Sequence, residues 1–337
     1  MPDSTGDQAA PERVMVDSFG RVVRDLRVSV TDRCNFRCLY CMPAEGLPWL
    51  GAGDVLSRDE MVRALRVAVE LGVRTIRITG GEPTLRRDLV DVVGALGTLG
   101  VELSITTNGY LMDRLAEPLA RAGLGRANIS LDSLRPDRFR EITRRDALAK
   151  VLAGIDATLA AGLAPVKINA VVVRGFNDDE IEPMAAWARD LGVELRFIEF
   201  MPLDAPGEWT KEQVVPAGEI LTRLDAAFGL DAPGPRGSAP AERYTYSDGR
   251  GAVGIIASVT RAFCAQCDRI RLTADGQVRT CLFATTEYDL RAVMRAGGDD
   301  EAVAELYLDA VARKQWGHNI GRDDFVRPAR GMSQIGG

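Results

Sequence analysis

The chain contains 337 residues, of which 46% are hydrophobic and 27% are charged, and it carries a formal net charge of −6. This composition is typical of globular proteins and excludes disordered and fibrous chains, and no segment approaches the roughly 18 consecutive apolar residues of a membrane span. The acidic charge argues against a nucleic-acid surface, and since no signal-peptide pattern is present we expect a cytoplasmic protein that binds neither nucleic acid nor membranes.

The first predicted elements are a strand over residues 21–31 and a helix that follows it. Residues 1–13 precede the strand and are predicted to be a disordered tail. Alternation along the strand places apolar residues on one face and Arg27 on the other. Ser57 caps the helix, and Glu60 stands three positions later as its capping-box partner. This helix is predicted to end near residue 71.

Strands and helices then alternate along the chain. The predicted strands cover residues 73–79, 101–107, 128–132, 165–173 and 194–201. The predicted helices cover residues 86–97, 111–122, 147–162 and 178–191. Six strands with right-handed helical crossovers predict an α/β protein whose parallel sheet forms a partial (βα)6 barrel of the TIM type.

One face of the predicted strands carries polar side chains near the carboxyl ends. Both faces of an ordinary buried parallel sheet would be apolar, so the pattern predicts an internal pocket at the top of the barrel. Polar groups that are satisfied within the core would give the same pattern at single positions. The residues are Arg27, Ser29, Thr31, Arg77, Thr79, Ser104, Thr106, Asn128, Ser130, Asp132, Lys167, Asn169, Glu199 and Met201.

Beyond residue 201 the pattern changes to short strands and helices. A Pro/Gly-rich stretch over residues 233–240 is predicted to be a surface loop without a functional role. A hairpin is predicted to turn at Asp275 and Gly276. The other predicted elements are helices over residues 216–228, 287–296 and 300–316 and strands over residues 243–247 and 252–257. We therefore predict a barrel region over residues 14–205 and an α+β extension over residues 206–337.

The six cysteines fall into two groups of three. Thiols stay reduced in the cytosol, so these spacings indicate metal binding rather than disulfides. Three thiolates leave one iron of a 4Fe-4S cluster open to another ligand, whereas a structural zinc needs four ligands. A zinc ribbon remains an alternative for the second group, to which His318 could add one ligand. The groups are Cys34, Cys38 and Cys41, and Cys264, Cys267 and Cys281.

A second motif, Gly80-Gly81-Glu82-Pro83, follows the second predicted strand. Adjacent glycines allow the backbone to approach a ligand closely, and proline fixes the turn. Glu82 offers an acceptor for an amino group. A Gly-Gly turn alone is a weak signal, but after the first cysteine group it becomes specific.

Together, the C-x3-C-x2-C and GGEP motifs resemble those of the radical S-adenosylmethionine superfamily. The resemblance implies a 4Fe-4S cluster on Cys34, Cys38 and Cys41, with S-adenosylmethionine bound to its open iron. In that superfamily, reductive cleavage of S-adenosylmethionine gives a 5′-deoxyadenosyl radical that abstracts hydrogen from a substrate. By matched position, the S-adenosylmethionine site would be formed by Tyr40, Gly81, Glu82, Ser130 and Met201.

The remaining motifs are similar to those of one family in that superfamily, the GTP 3′,8-cyclases of molybdenum cofactor (molybdopterin) biosynthesis. The similarity covers about residue 20 to the C-terminus. It rests on the second cysteine group with Arg269 and Arg271, and on Lys167-Ile168-Asn169, Thr106-Thr107-Asn108-Gly109 and Gly336-Gly337.

This similarity implies a second 4Fe-4S cluster, in the C-terminal extension, whose open iron contacts the guanine of GTP. The radical would take the ribose 3′ hydrogen to give (8S)-3′,8-cyclo-7,8-dihydroguanosine 5′-triphosphate, on which cyclic pyranopterin monophosphate synthase acts next. An electron donor and a homodimer are also implied. GTP would be bound by Arg27, Arg77, Thr106, Lys167, Arg269, Ile270 and Arg271. The catalytic residues would be Arg269, Arg271, Gly336 and Gly337.

The residues support this assignment independently of the family. In a strand, Cys267, Arg269 and Arg271 share one face, which places a cluster ligand beside two guanidinium groups that match phosphate oxygens. Lys167 is one of only four lysines and lies in an apolar run, which indicates a ligand-binding role. Two alternatives stay open: a radical enzyme that modifies a peptide with an auxiliary cluster, and a non-catalytic zinc or iron–sulfur protein.

Overall fold

A computed structural model describes residues 13–204, 207–322 and 324–336 of the chain. Its core is a row of six parallel strands with helices on the outside, as the sequence predicts. The strands are β1 (Asp25–Ser29), β2 (Thr75–Thr79), β3 (Glu102–Thr107), β4 (Arg126–Ser130), β5 (Lys167–Val172) and β6 (Glu194–Glu199). The helices are α1 (Arg58–Glu70), α2 (Leu89–Gly97), α3 (Met112–Arg121), α4 (Pro136–Thr143), α5 (Leu148–Ala160) and α6 (Ile181–Leu191).

Alternation along each strand separates a core face from a cavity face. Leu26 and Ile76 are register partners on β1 and β2, and both are completely buried against the helices. Helix α1 begins with the predicted capping box, in which the Glu60 amide donates to Ser57 Oγ over 3.2 Å. Each fully buried aliphatic side chain of this layer contributes about 1.5–3 kcal/mol to stability. The apolar half of the alternation therefore holds the sheet against its helices and leaves the polar half for the interior.

The C-terminal region extends the same sheet at both edges. Strand β8 pairs in parallel with β6, and β9 pairs in parallel with β1, within a single eleven-stranded sheet of order β11-β10-β9-β1-β2-β3-β4-β5-β6-β8-β7. Its elements are α7 (Ala217–Phe228), β7 (Glu242–Thr245), β8 (Ala252–Ile256), β9 (Arg269–Leu272), β10 (Gln277–Arg279), β11 (Tyr288–Asp289), α8 (Leu290–Arg295), α9 (Asp300–Ala312) and α10 (Met332–Ile335). The predicted α+β extension thus continues the barrel sheet on either side.

Most of the predicted elements are confirmed, and four differ, one of them because residues 288–289 form β11 where the helix over residues 287–296 was predicted to begin. The hairpin of β9 and β10 turns at the predicted Asp275 and Gly276, where glycine adopts a φ of +78°. Helices α4 and α10 were not predicted, and α9 ends at Ala312 rather than near residue 316. Helix α4 is only eight residues long and carries two apolar core side chains, Phe139 and Ile142, so its period was too short to indicate a helix in the sequence.

Two predictions about the ends of the regions stay predictions. Residues 1–12 of the predicted disordered tail lie outside the described residues, while Arg13 pairs with Glu301 and Glu305. The predicted boundary between residues 205 and 206 also falls on residues that are not described. In the described part of the chain, no helix is long and apolar enough to cross a membrane.

Candidate active site

A cavity of about 290 Å³ lies at the carboxyl ends of the barrel strands, and both cysteine groups line it. Because the second group comes from the C-terminal region, two parts of the sequence that are far apart contribute to one site. The predicted site residues that line the cavity are Arg27, Cys34, Cys38, Tyr40, Cys41, Arg77, Gly81, Glu82, Thr106, Ser130, Met201, Cys264, Cys267, Arg269, Arg271 and Cys281.

The first cysteine group occupies the loop after β1. Burial raises the pKa of Cys34 to about 11 and, together with the nearby Cys34 thiol, that of Cys41 to about 12. The pKa of Cys38 lies well above its usual range because of burial, Asp132 and the two neighbouring thiols. Three buried thiols that oppose one another's ionisation fit a site that a metal cluster neutralises, since cluster ligation needs thiolates.

The GGEP motif packs directly against the backbone that leads into this loop. The Gly81 amide donates to the Thr31 carbonyl over 2.8 Å, and a Cβ at Gly81 would overlap the carbonyl oxygens of Asp32 and Arg33. Glycine is therefore required here by close approach of two backbones.

Glu82 is buried and its carboxylate is held by donors of the chain itself. It accepts from the Thr107 hydroxyl and from the Asn108 amide, each over 2.6 Å, and from Thr84. Burial raises its pKa. These bonds fix the loop after β3 against the GGEP turn, and the predicted contact of Glu82 with an amino group stays a prediction.

Tyr40 is oriented by a buried carboxylate across the cavity wall. Its hydroxyl donates to Asp132 Oδ2 over 2.7 Å, while Asp132 Oδ1 accepts from the Val171 amide over 2.8 Å. Burial raises the pKa of Asp132 to about 6. The ring of Tyr40 is thereby fixed between two cysteines of the first group.

Three arginines form a row across neighbouring strands. Arg271 on β9 is the register partner of Arg27 on β1, which is the partner of Arg77 on β2. Burial lowers the pKa of each of them and neighbouring arginines lower it further, that of Arg77 to about 9. Adjacent strands lie about 4.8 Å apart, so three cations stand side by side on the cavity face. Such a row is electrostatically unfavourable until an anion with several charges binds it.

The second cysteine group surrounds the start and end of the β9–β10 hairpin. Burial opposes ionisation of Cys267, but the positive charges of Lys314 and Arg269 outweigh it, and the pKa of Cys267 lies below its usual value. Arg21 donates to the Cys264 carbonyl over 2.6 Å and anchors that loop. A thiolate favoured by two cations, with two more cysteines in the same cavity, fits a second metal cluster.

The C-terminal tail reaches the arginine row. Arg271 donates to the carbonyl of Gly336, which has a φ of +76°. A Cβ at Gly336 would overlap the hydroxyl groups of Ser29 and Thr79. The chain end therefore fits between Arg271 and the ends of β1 and β2 only as glycine. Gly337, predicted to be catalytic, lies outside the described residues.

The sequence pattern did not indicate Arg196, which lines the cavity from β6. Arg196 is the register partner of Asn169 on β5 and stands at the other parity from the predicted Glu199 and Met201, which also line the cavity at the end of β6. Glu199 is completely buried and accepts from the amides of Ala217 and Val259. Its carboxylate is therefore held by backbone donors at the cavity wall.

Two of the predicted GTP-binding residues, Ile270 and Lys167, are not among the residues that line the cavity. Ile270 is the register partner of Leu26 and is completely buried in the hydrophobic core, so its side chain is not available to a ligand. Lys167 is half-buried at the start of β5, where its register partner on β6 is Glu194. Burial and the charge of Arg196 lower the pKa of Lys167 to about 8.

The predicted surface loop over residues 233–240 is exposed or half-buried, as expected, and it also contacts the site. The Ser238 carbonyl accepts from Arg269 over 2.6 Å, and Pro240 lines the cavity. The other guanidinium nitrogen of Arg269, Nη2, is buried without a partner among the described residues. The composition of the loop gave no signal for this contact.

The chain matches two family models that together cover most of its length. Residues 28–188 match the Radical SAM superfamily, and residues 193–320 match Molybdenum Cofactor Synthesis C. A GTP 3′,8-cyclase of Streptomyces coelicolor is 53% identical to the chain, with 96% of both sequences covered. A GTP 3′,8-cyclase of Corynebacterium glutamicum is 49% identical, with 96% of this chain and 90% of the relative covered.

Solved structures support the architecture. Streptococcus suis SuiB bound to S-adenosylmethionine superposes with a TM-score of 0.61 and 16% identity, over 85% of this chain and 68% of SuiB. SuiB bound to the precursor peptide SuiA superposes with a TM-score of 0.63 and 14% identity, over 92% and 76% of the two chains. At these identities the likeness shows a shared fold, and it includes the C-terminal region.

Proposed function

The chain belongs to the GTP 3′,8-cyclase family of radical S-adenosylmethionine enzymes, and we propose that its cavity holds S-adenosylmethionine beside the first cysteine group and GTP beside the second. The activity of the family is the conversion of GTP in molybdenum cofactor synthesis, and it replaces the non-catalytic alternative. The observation that carries the arrangement is that all six cysteines line the cavity that also contains the arginine row.

Cys34, Cys38 and Cys41 are the residues that would hold the 4Fe-4S cluster of the superfamily. When bound, the cluster and S-adenosylmethionine supply a 5′-deoxyadenosyl radical, which abstracts hydrogen from the substrate. The chain's part is to hold the cofactor in one orientation. Tyr40, fixed by Asp132, and the backbone of Gly81 form a rigid wall for it, together with Ser130 and Met201. A rigid and closed wall suits radical chemistry because it limits side reactions with solvent.

The arginine row of Arg271, Arg27 and Arg77 is proposed to bind the triphosphate. Guanidinium groups pair with phosphate oxygens in a forked geometry, and three in a row match an extended polyphosphate better than a single phosphate. Thr106 and Arg196 line the same cavity. Lys167 adds positive charge from the start of β5. Binding of the anion would remove the mutual repulsion that lowers the pKa values of the arginines.

Cys264, Cys267 and Cys281 are proposed to hold a second 4Fe-4S cluster against the guanine. The support is chemical: three thiols share the cavity, and two cations favour the thiolate of Cys267. Arg269 and Arg271 lie on β9, which begins two residues after Cys267, so the proposed triphosphate ligands and the cluster ligand are close together along the chain. The peptide-modifying alternative would need the cavity to admit a chain, and no observation on this structure favours it over GTP.

The contact between Arg271 and Gly336 supports a proposed role for the tail in the same site. The carbonyl of Gly336 restricts the guanidinium and so orients it for the reaction. An electron donor, a homodimer, transfer of the product to cyclic pyranopterin monophosphate synthase and a cytoplasmic location are proposed from the family resemblance alone. Light scattering of the purified protein would test the dimer.

The experiment that tests the function is release of 5′-deoxyadenosine by anaerobically reconstituted protein with a strong reductant. Parallel reactions contain GTP, ATP or no nucleotide, and the guanine product is analysed by mass spectrometry. We expect release that GTP alone stimulates, with a cyclised product of unchanged mass relative to GTP. Release that is indifferent to nucleotide would overturn the substrate, and no release from iron-loaded protein would overturn the radical chemistry.

A further inference from the structure

Lys314 is a buried ammonium group beside the second cysteine group. It follows α9 and is only 3% exposed. Its Nζ lies 3.8 Å from Cys267 Sγ and 2.7 Å from the Arg269 carbonyl, and it also donates to the Thr280 carbonyl. Lysine is rarely buried to this degree unless it is paired.

The charge of Lys314 has no carboxylate partner in the described part of the chain. There, Lys150 is the only lysine within 4.0 Å of an acidic side chain. A buried ammonium group without an opposite charge is costly, because two carbonyl dipoles replace only part of the hydration that it loses. The charge of Lys314 can be balanced by the Cys267 thiolate and by the net negative charge of a cluster that this thiolate ligates.

The contacts of Lys314 join the segments that carry the cysteines. Arg269 lies two residues after Cys267 in β9, and Thr280 directly precedes Cys281. One ammonium group thus holds the two ends of the β9–β10 hairpin at a fixed separation. It can do so without distortion because its three donors spread over about a tetrahedral range of directions.

The residues after Lys314 reach the remaining cysteine. A Cβ at Gly317 would lie 3.1 Å from Cys264 Sγ, so the backbone there packs directly on the sulfur. Arg21 donates to the carbonyls of Cys264, Gln315 and Trp316 at distances of 2.6 to 2.8 Å. The segment over residues 314–317 therefore contacts both ends of the Cys264–Cys267 pair.

We propose that Lys314 is a positioning residue of the second cysteine group, whose positive charge favours the reduced state of the cluster bound there. The inference rests on the proposed second cluster. A cation close to a redox centre stabilises an added electron, so it raises the reduction potential. The hydrogen bonds of the Lys314 side chain within the described part of the chain are all with Cys267, Arg269 and Thr280, so we expect its effect chiefly at the second cluster.

The test isolates the second cluster in a parent protein that carries Cys34→Ala, Cys38→Ala and Cys41→Ala. In this background Lys314→Gln keeps hydrogen-bond donors and removes the charge, whereas Lys314→Arg keeps the charge. Lys211→Gln, at an exposed position, is the matched control. The readouts are the iron content per chain and the reduction potential from a titration followed by electron paramagnetic resonance, with folding checked by circular dichroism.

We expect the reduction potential of the cluster in Lys314→Gln to be more negative than in the parent by at least about 59 mV, which for one electron is a tenfold change in the redox equilibrium constant. Lys314→Arg and Lys211→Gln should match the parent. Full iron loading by the Arg variant and poor loading by the Gln variant would also support the charge role, since both can donate to the carbonyls.

Equal potential and iron content in the Gln variant and the parent would overturn the inference and leave Lys314 a structural donor. Loss of iron in both variants would overturn the charge role as well. If the parent itself bound no iron, the second cluster of the proposed function would be wrong and the inference would end with it. The two failures are thus distinct.

Discussion

Arg27 and Arg271 are register partners on two parallel strands although they lie 244 residues apart in sequence, so two cations stand side by side on the cavity face. Arg77 continues the row on the next strand. The sheet spacing fixes the separation of these guanidinium groups, so their common ligand must present several anionic groups in line. Their repulsion in the free protein is the electrostatic cost that binding of a triphosphate offsets.

Arg77→Met tests the arginine row. Removing one charged hydrogen-bonding partner costs about 1.5–3 kcal/mol, so the affinity for GTP should fall by roughly 10- to 100-fold. The thermal stability of the free protein should not fall, because the substitution also removes repulsion with Arg27. Calorimetric titration and thermal unfolding measure the two effects, with exposed Arg114→Met as the control. A stability loss together with unchanged affinity would contradict the row as a phosphate site.

The sequence predicted the barrel, both cysteine groups and most of the cavity wall, because each rests on local patterns. Strand alternation and the spacing of each cysteine group are visible within 18 residues of sequence or fewer. The arginine row is not visible in local sequence, because it depends on which strands become neighbours. Strand β9 has only four residues, and its place in the sheet beside β1 is set by tertiary pairing. Lys314 has no local signal either, because its partners lie up to 47 residues away.

Glu199 lines the cavity as the polar pattern predicted, but its carboxylate is occupied by backbone donors, which indicates a structural role. Glu199→Gln should destabilise the fold, since the amide would face backbone donors of Ala217, Val259 and Thr260 and leave at least one unpaired, at about 1–3 kcal/mol each. Denaturant unfolding measures the loss, and exposed Glu208→Gln should show none. Wild-type stability with impaired catalysis would instead return Glu199 to the active site.

Lys167 does not line the cavity, but its charge interacts with those of Arg196 and Arg77, so we expect it to make GTP binding depend on pH. Its pKa of about 8 in the free protein, lowered by burial and Arg196, should rise when the triphosphate binds. The affinity gained from its charge is therefore complete below about pH 8 and is lost as the pH rises through that value towards the higher pKa of the complex. Titrations between pH 7 and 9.5 should show a falling affinity that Lys167→Arg flattens. Parallel curves for the two proteins would exclude Lys167 as a phosphate ligand.

Cys267→Ala separates the two cysteine groups. Cleavage of S-adenosylmethionine without coupling to GTP should continue, because the first group is intact, while conversion of GTP should be abolished. Cys264→Ala and Cys281→Ala should behave alike if the three act as one site. Chromatography of 5′-deoxyadenosine and of the guanine product measures both activities. Persistent GTP conversion in any of the three would contradict the substrate role of the second group.

Gly336→Ala tests whether the tail must enter the cavity. The φ of +76° at Gly336 disfavours alanine. The added methyl group would also overlap Ser29 and Thr79, so the tail should leave its place beside Arg271. We expect GTP conversion to fall by at least tenfold, with S-adenosylmethionine binding less affected because the first group lies on its own loop.

Gly297→Ala is the matched control: its φ of +86° carries the same backbone strain, but no atom lies within 4 Å of the added carbon. The control should lose about 1–2 kcal/mol of stability to backbone strain and keep its activity. Full activity in both variants would contradict a need for the tail beside Arg271, and an equal loss of activity in both would attribute the effect to backbone strain.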